Sequence, residues 1–151
     1  RRFRVTTQRD PSHRVAHNLL KQNFAADGPN RRWAGDITYI ATHQGWLYLA
    51  VVMDLYSRRI VGWSMSRWMS RRLVVDALRM ALEARRPSGP LVHHSDRGGQ
   101  YSSDDFRDEL AKHGIDCSMS STGNGTVRKF VFEAMMMRTK GASYGYRERT
   151  T

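Results

Sequence analysis

The chain has 151 residues, 40% hydrophobic and 10% aromatic, enough for one domain with a real core and too many for a disordered tail. Lysine and arginine number 25 against 14 aspartates and glutamates, a net charge of +11, so the expected partner is acidic, with nucleic acid the commonest. A lone cysteine, Cys117, excludes an intrachain disulfide and fits a reducing cytoplasm, and no apolar run reaches the roughly 18 residues of a membrane span.

In chain order, Val15 to Leu20 is expected to form a short helix, broken by Gly28-Pro29-Asn30. Arg32 to about Ala41 reads as a first strand, with Ile37 and Tyr39 on one face and Asp36, Thr38 and Ile40 on the other. His43-Gln44-Gly45 is a turn. Trp46 to Met53 is nearly unbroken apolar sequence, the mark of a strand buried on both faces. Asp54 to Arg58 turns the chain into a third strand, Arg59 to Met65, completing an antiparallel meander. Ser70 can cap a helix from Arg71 to about Arg86, whose stripe is Val74, Ala77, Leu78, Ala81 and Leu82. Pro87-Ser88-Gly89-Pro90 stops it. Leu91 to His94 is a short strand, and Ser103 to His113 a second helix with Phe106 and Leu110 inward and Gly114 as its stop. Ile115 to Met119 is a last strand, followed by a polar loop to Asn124. Beyond it Val127, Phe130, Val131, Ala134 and Met135 keep a helical stripe. Together these elements predict an α/β fold: a five-stranded mixed sheet flanked by helices.

Charge divides the chain. Residues 1–35 carry net +6, residues 36–127 net +1 and residues 128–151 net +4. We expect a basic N-terminal arm or linker over 1–30, a core over 31–124, and a C-terminal segment over 125–151, which the family resemblance given below marks as divergent: either a truncated or frameshifted end, or a continuing helix with a shifted acid. Basic arms around a near-neutral core suit nucleic-acid contact. The opening Arg1-Arg2-Phe3-Arg4 has no apolar stretch behind it, so it does not read as a signal peptide. The chain lacks an initial Met, which leads us to expect a piece of something longer.

Two runs concentrate the chemistry: Trp33-Ala34-Gly35-Asp36-Ile37-Thr38-Tyr39 and His93-His94-Ser95-Asp96-Arg97-Gly98-Gly99-Gln100-Tyr101. Each sets a carboxylate beside a strand. Carboxylates on rigid strands within a basic surface can hold Mg²⁺ or Mn²⁺ where a nucleic acid docks. Asp54 reads as a structural turn residue. His93 and His94 read as polar neighbours at a strand end, with His94 a candidate for positioning a phosphate. Trp46, Trp63 and Tyr48 read as core or sheet-face aromatics, and Met135, Met136 and Met137 as helix packing.

These runs, with Arg2-Phe3-Arg4-Val5-Thr6-Thr7, Pro29 to Ile40 and Gly45 to Trp63, resemble the integrase-like catalytic core of bacterial insertion-sequence transposases, the DDE group of OrfB type. The likeness extends from the N-terminus to about Asn124. It implies a ribonuclease-H-like fold, with the first strand central and the fourth beside it. It implies metal-dependent DNA cleavage and strand transfer in DNA integration, without a covalent protein intermediate. Asp36 and Asp96 would be the first two members of a carboxylate triad holding Mg²⁺ or Mn²⁺, two ions in all. Arg97 and Gln100 are candidate DNA contacts, together with Arg31, Arg32, Arg128 and Lys129. DNA ends and target would be the partners, with a homo-oligomer in the active complex, no membrane, and a cytoplasmic, nucleoid-associated location. Helix-turn-helix segments, carried upstream in such transposases, are not visible here.

The third acid departs from the family pattern. Gly123-Asn124 is in register, but the family's Glu position holds Phe132, and Glu133 comes one residue late. One residue turns a helical side chain by about 100°. Glu133 is therefore the candidate third ligand, against the alternative of a catalytically inactive DNA-binding remnant of a decayed transposase. A nuclease acting on RNA–DNA hybrids ranks behind both.

Overall fold

Alternating apolar residues around a single aspartate, Asp36, make Arg32–Thr42 the strand on which the rest is assembled (β1). The computed structural model describes residues 15–121 and 125–141, the side chains beyond 136 excepted. Gly45–Asp54 (β2) and Arg59–Ser66 (β3) complete the expected meander, both antiparallel. Arg71–Arg85 (α1) then crosses to Val92–Ser95 (β4), which pairs parallel to β1. Asp104–Lys112 (α2) leads to Asp116–Met119 (β5), parallel to β4. Thr126–Gly141 (α3) closes the described fold. The sheet order is β3-β2-β1-β4-β5, so β1 is central and β4 lies against it.

The alternation predicted for β1 decides which side each helix covers. Ile37, Ala50 and Val52 face a core with Leu78 and Ala81 of α1 and Phe106 and Leu110 of α2. Ala34, Val51 and Met53 face the opposite core, completed by Leu20, Phe24 and by Val127 and Val131 of α3. Asp36 pairs with Val51 in the antiparallel register, so it projects on the α3 side. On the other side Gly62 is where α1 crosses closest: a Cβ there would collide with the Ala77 carbonyl and with Ala81.

Local chemistry sets the ends. Ser103 caps α2 by accepting from the Phe106 amide at 3.3 Å, with Asp104 and Asp105 in the first turn favouring the helix dipole. Gly114, at φ +63°, takes the left-handed step that ends it. Ser70 occupies the N-cap of α1 but makes no side-chain cap bond. Asp54 is the structural residue expected. It is fully buried, accepts from the Asn30 amide at 3.0 Å and from the Ser57 hydroxyl at 2.6 Å, and pairs with Arg85 at 3.3 Å.

Two expectations are corrected. Val15 to Leu20 is not a helix but extended chain with a bend. Ser118 Oγ accepts from the Leu19 amide at 2.9 Å and Asn18 Oδ1 accepts from Lys21, so these amides bond elsewhere. Only Leu49 to Asp54 of β2 is fully buried, because the helices leave the Trp46 end of the sheet uncovered. Trp46 and Trp63 are accordingly 56% and 48% exposed, outside the core, while Tyr48 is half-buried against it. Among the described residues, no helix is long and apolar enough to cross a membrane.

Candidate active site

Parallel pairing of β1 and β4 matches Trp33 with His93 and Ala34 with His94. Two residues past this register stand Asp36, within β1, and Asp96, one residue beyond the end of β4. Both therefore come to the same end of adjacent strands and line one cavity of about 270 Å³. Tyr101, Gln100, Met69 and Arg128 also line it.

Each carboxylate is held differently. Asp36 is 6% exposed, and burial raises its pKa from 3.8 to about 6; Arg128 lowers it, and the negative charge of Asp96 raises it further. Arg128 Nε stands 3.5 Å from Asp36 Oδ2, and Arg128 Nη2 donates to the Ile37 carbonyl at 3.1 Å. Asp96 is half-buried, and its Oδ1 accepts from the Ser120 hydroxyl at 2.7 Å. Ser120 is in turn placed by its amide, which donates to the Ser95 carbonyl at 3.0 Å. The mutual repulsion of two convergent carboxylates is what a cation relieves, and both present hard oxygen donors. The pair suits Mg²⁺ or Mn²⁺.

The supporting layer is apolar and tight. His93 is fully buried beneath Gly35, where a Cβ would stand 2.8 Å from its ring and 3.1 Å from the Tyr101 hydroxyl. Glycine immediately before Asp36 is thus what lets β1 lie on this ring. Burial and the neighbouring His94 push the His93 pKa down to about 3, so the ring is neutral. The ring of His94 meets Phe24 edge-on, its Nδ1 is 2.7 Å from Ser118 Oγ, and burial lowers its pKa. It is 1% exposed, which corrects its proposed contact with a phosphate.

The remaining candidates divide. Gln100 lines the cavity, and Arg97 is exposed beside Asp96. Arg31 is exposed at the foot of β1, away from the carboxylates. Arg32 spends its guanidinium on the Asn23 and Ala25 carbonyls, at 2.8 Å each. Arg128 is engaged inward on Asp36. Lys129 lies 4.0 Å from Glu133, whose side chain is 57% exposed and does not line the cavity. Phe132, at the family's Glu position, is 61% exposed. Among the described residues no cluster of three or more acidic, histidine or cysteine side chains forms a metal cage. Met135 packs against the α3-side core as expected, Met136 is exposed, and the Met137 side chain lies outside the described residues.

Sequence reasoning gave Tyr101 and Ser120 no role. Tyr101 is 5% exposed, and burial with both carboxylates nearby keeps its phenol protonated. Its signal was its place at the end of the second motif run. Ser120, one step past β5, had none. A larger hollow of about 460 Å³ lies between α1 and α2. Its one buried acid, Glu109, is already neutralised by Arg79 at 3.1 Å and by Lys112. Chemistry, not size, therefore makes the carboxylate pair the candidate site.

Comparison with known proteins agrees in sequence and in shape. The family model described as the integrase core domain matches residues 26–125. The chain is 50% identical over 123 residues to transposase InsF for insertion sequence IS3A of Escherichia coli strain K12, covering 82% of this chain and 43% of that protein. It is 47% identical over 124 residues to an uncharacterized 31 kDa protein of insertion element IS600 from Shigella sonnei, covering 82% of this chain and 46% of the relative. The chain thus spans less than half the length of these curated relatives. Among solved structures, the HTLV-2 integrase catalytic core domain in complex with magnesium superposes with TM-score 0.55 at 21% identity, over 75% of this chain and 66% of that one. A chain of the simian T-cell lymphotropic virus intasome in complex with PP2A regulatory subunit B56 gamma does so with TM-score 0.60 at 20% identity, over 87% and 44%.

Proposed function

The chain belongs to the integrase core domain family and has its ribonuclease-H-like fold, and from that premise we propose that it is a transposase core whose Asp36 and Asp96 serve metal-dependent cleavage and transfer of DNA strands. The observation that carries the proposal is the convergence of these two carboxylates in one cavity, from adjacent parallel strands. Asp36 and Asp96 would hold Mg²⁺ or Mn²⁺, which would supply activation of an attacking oxygen and offset of charge on the phosphate. Asp36 would present its carboxylate from the central strand. Ser120 orients Asp96 by donating to Oδ1, leaving Oδ2 for the cation. Gln100 and Arg97 position the DNA backbone, and the protonated Tyr101 hydroxyl supplies a donor at the cavity wall. The described donors suit one ion. A second would need Glu133 or a ligand beyond this chain. Multimeric assembly on paired DNA ends is part of the same proposal.

The test is Mn²⁺-dependent nicking of supercoiled plasmid by the purified chain beside Asp36→Asn, Asp96→Asn and Glu133→Gln. We expect nicking to fall by at least about 100-fold in both aspartate variants, the loss typical of removing a principal source of charge stabilisation. Glu133→Gln reports whether that side chain joins the site. Absence of nicking by the parent with DNA binding intact would favour the second reading, a DNA-binding core without chemistry. The exposed position of Glu133 is the observation behind that reading.

A further inference from the structure

We propose that Arg128 is a tethered cation in the carboxylate cavity, so that a divalent ion enters this chain only by displacing its guanidinium. The inference rests on the metal-site reading above. Arg128 lies in the first turn of α3, where no acidic residue precedes or accompanies it. A cation there opposes the positive end of the helix dipole, so its placement needs compensation from elsewhere. The compensation comes from Asp36 Oδ2, at 3.5 Å, and from the Ile37 carbonyl, at 3.1 Å. The helix cannot carry the residue away, because Val127 and Val131 fix α3 in the core on either side of it. The side chain itself is 58% exposed and long enough to swing into solvent. Asp96, meanwhile, has one oxygen committed to Ser120. The Asp36 carboxylate, without which the pair cannot act together on one ion, is thus already matched by a positive charge belonging to the protein. An incoming ion must break a charge-assisted contact before it can be coordinated.

The experiment is calorimetric titration of the metal-free chain with Mn²⁺, beside Arg128→Ala, Arg128→Gln, Arg128→Lys and the double variant Asp36→Asn/Arg128→Ala. We expect Mn²⁺ to bind Arg128→Ala and Arg128→Gln at least about tenfold more tightly than the parent, as fits loss of one charge-assisted competitor. Arg128→Lys should fall between, and the double variant should lose the gain. Two neutral replacements guard against a folding defect in either one. Equal or weaker binding by both, with the parent still binding and the double variant not, overturns the tethered cation and leaves the metal site standing. No Mn²⁺ binding by any variant overturns both.

Discussion

Asp36 combines two demands that conflict. The proposed role as a metal ligand asks for a charged carboxylate, yet this one is buried, and its pKa rises from 3.8 to about 6. The folded chain therefore holds the Asp36 proton more tightly than the unfolded chain does. Its contribution to stability is full below the unfolded value and is lost as pH rises through about 6. Two units correspond to roughly 3 kcal/mol, Arg128 having already offset part of the cost of burial. We expect Asp36→Asn to flatten the fall in stability between about pH 4 and pH 7 and to be the more stable chain at neutrality without metal. Urea denaturation of both chains across that range checks it, and equal slopes would refute it. Arg128, read from sequence as a DNA contact, instead faces Asp36. Nothing in the sequence could show this, because the pairing depends on where α3 crosses β1, ninety-odd positions away.

At the scale of elements, the five strands and the first two helices were legible because each carries its own signal. The period-2 pattern of β1, the apolar run of β2 and the stripe of α1 all name the buried face without tertiary information. What failed was local sequence overruled by a distant partner: Val15 to Leu20 has helical character, but Ser118 takes the Leu19 amide. The capping serines show the same limit. Ser70 and Ser103 look alike in sequence, but only Ser103 accepts a cap bond. We expect Ser103→Ala to cost about 1 kcal/mol and Ser70→Ala to change stability by less than about half that. Denaturant midpoints of the two variants settle the comparison. For the site, the paired aspartates were legible from their motifs, whereas Ser120 and the inward turn of Arg128 required the assembled sheet.

For the whole molecule, charge and site lie apart in sequence: the segment holding Asp36 and Asp96 is close to neutral, and the excess sits in the flanks. Under the proposed function, binding to duplex DNA would be carried mostly by counterion release from those flanks. We expect affinity to fall by at least about tenfold between roughly 50 and 200 mM salt. Asp36→Asn and Asp96→Asn should leave that slope unchanged while removing the chemistry. A filter-binding or anisotropy titration at several salt concentrations reads it, and a flat profile would remove nucleic acid as the partner that the charge implies.

The seam between β1 and β4 has one more consequence. Asp36 stands on β1 and Asp96 directly follows the end of β4, and the seam lies in the interior of the sheet with β2 on one side and β5 on the other. Transient opening starts at edges and termini and reaches a central pair of strands only when the domain comes apart as a whole. The register that sets Asp36 level with the end of β4 is therefore kept until the fold itself is lost, and only the short step from Ser95 to Asp96 is left free to adjust.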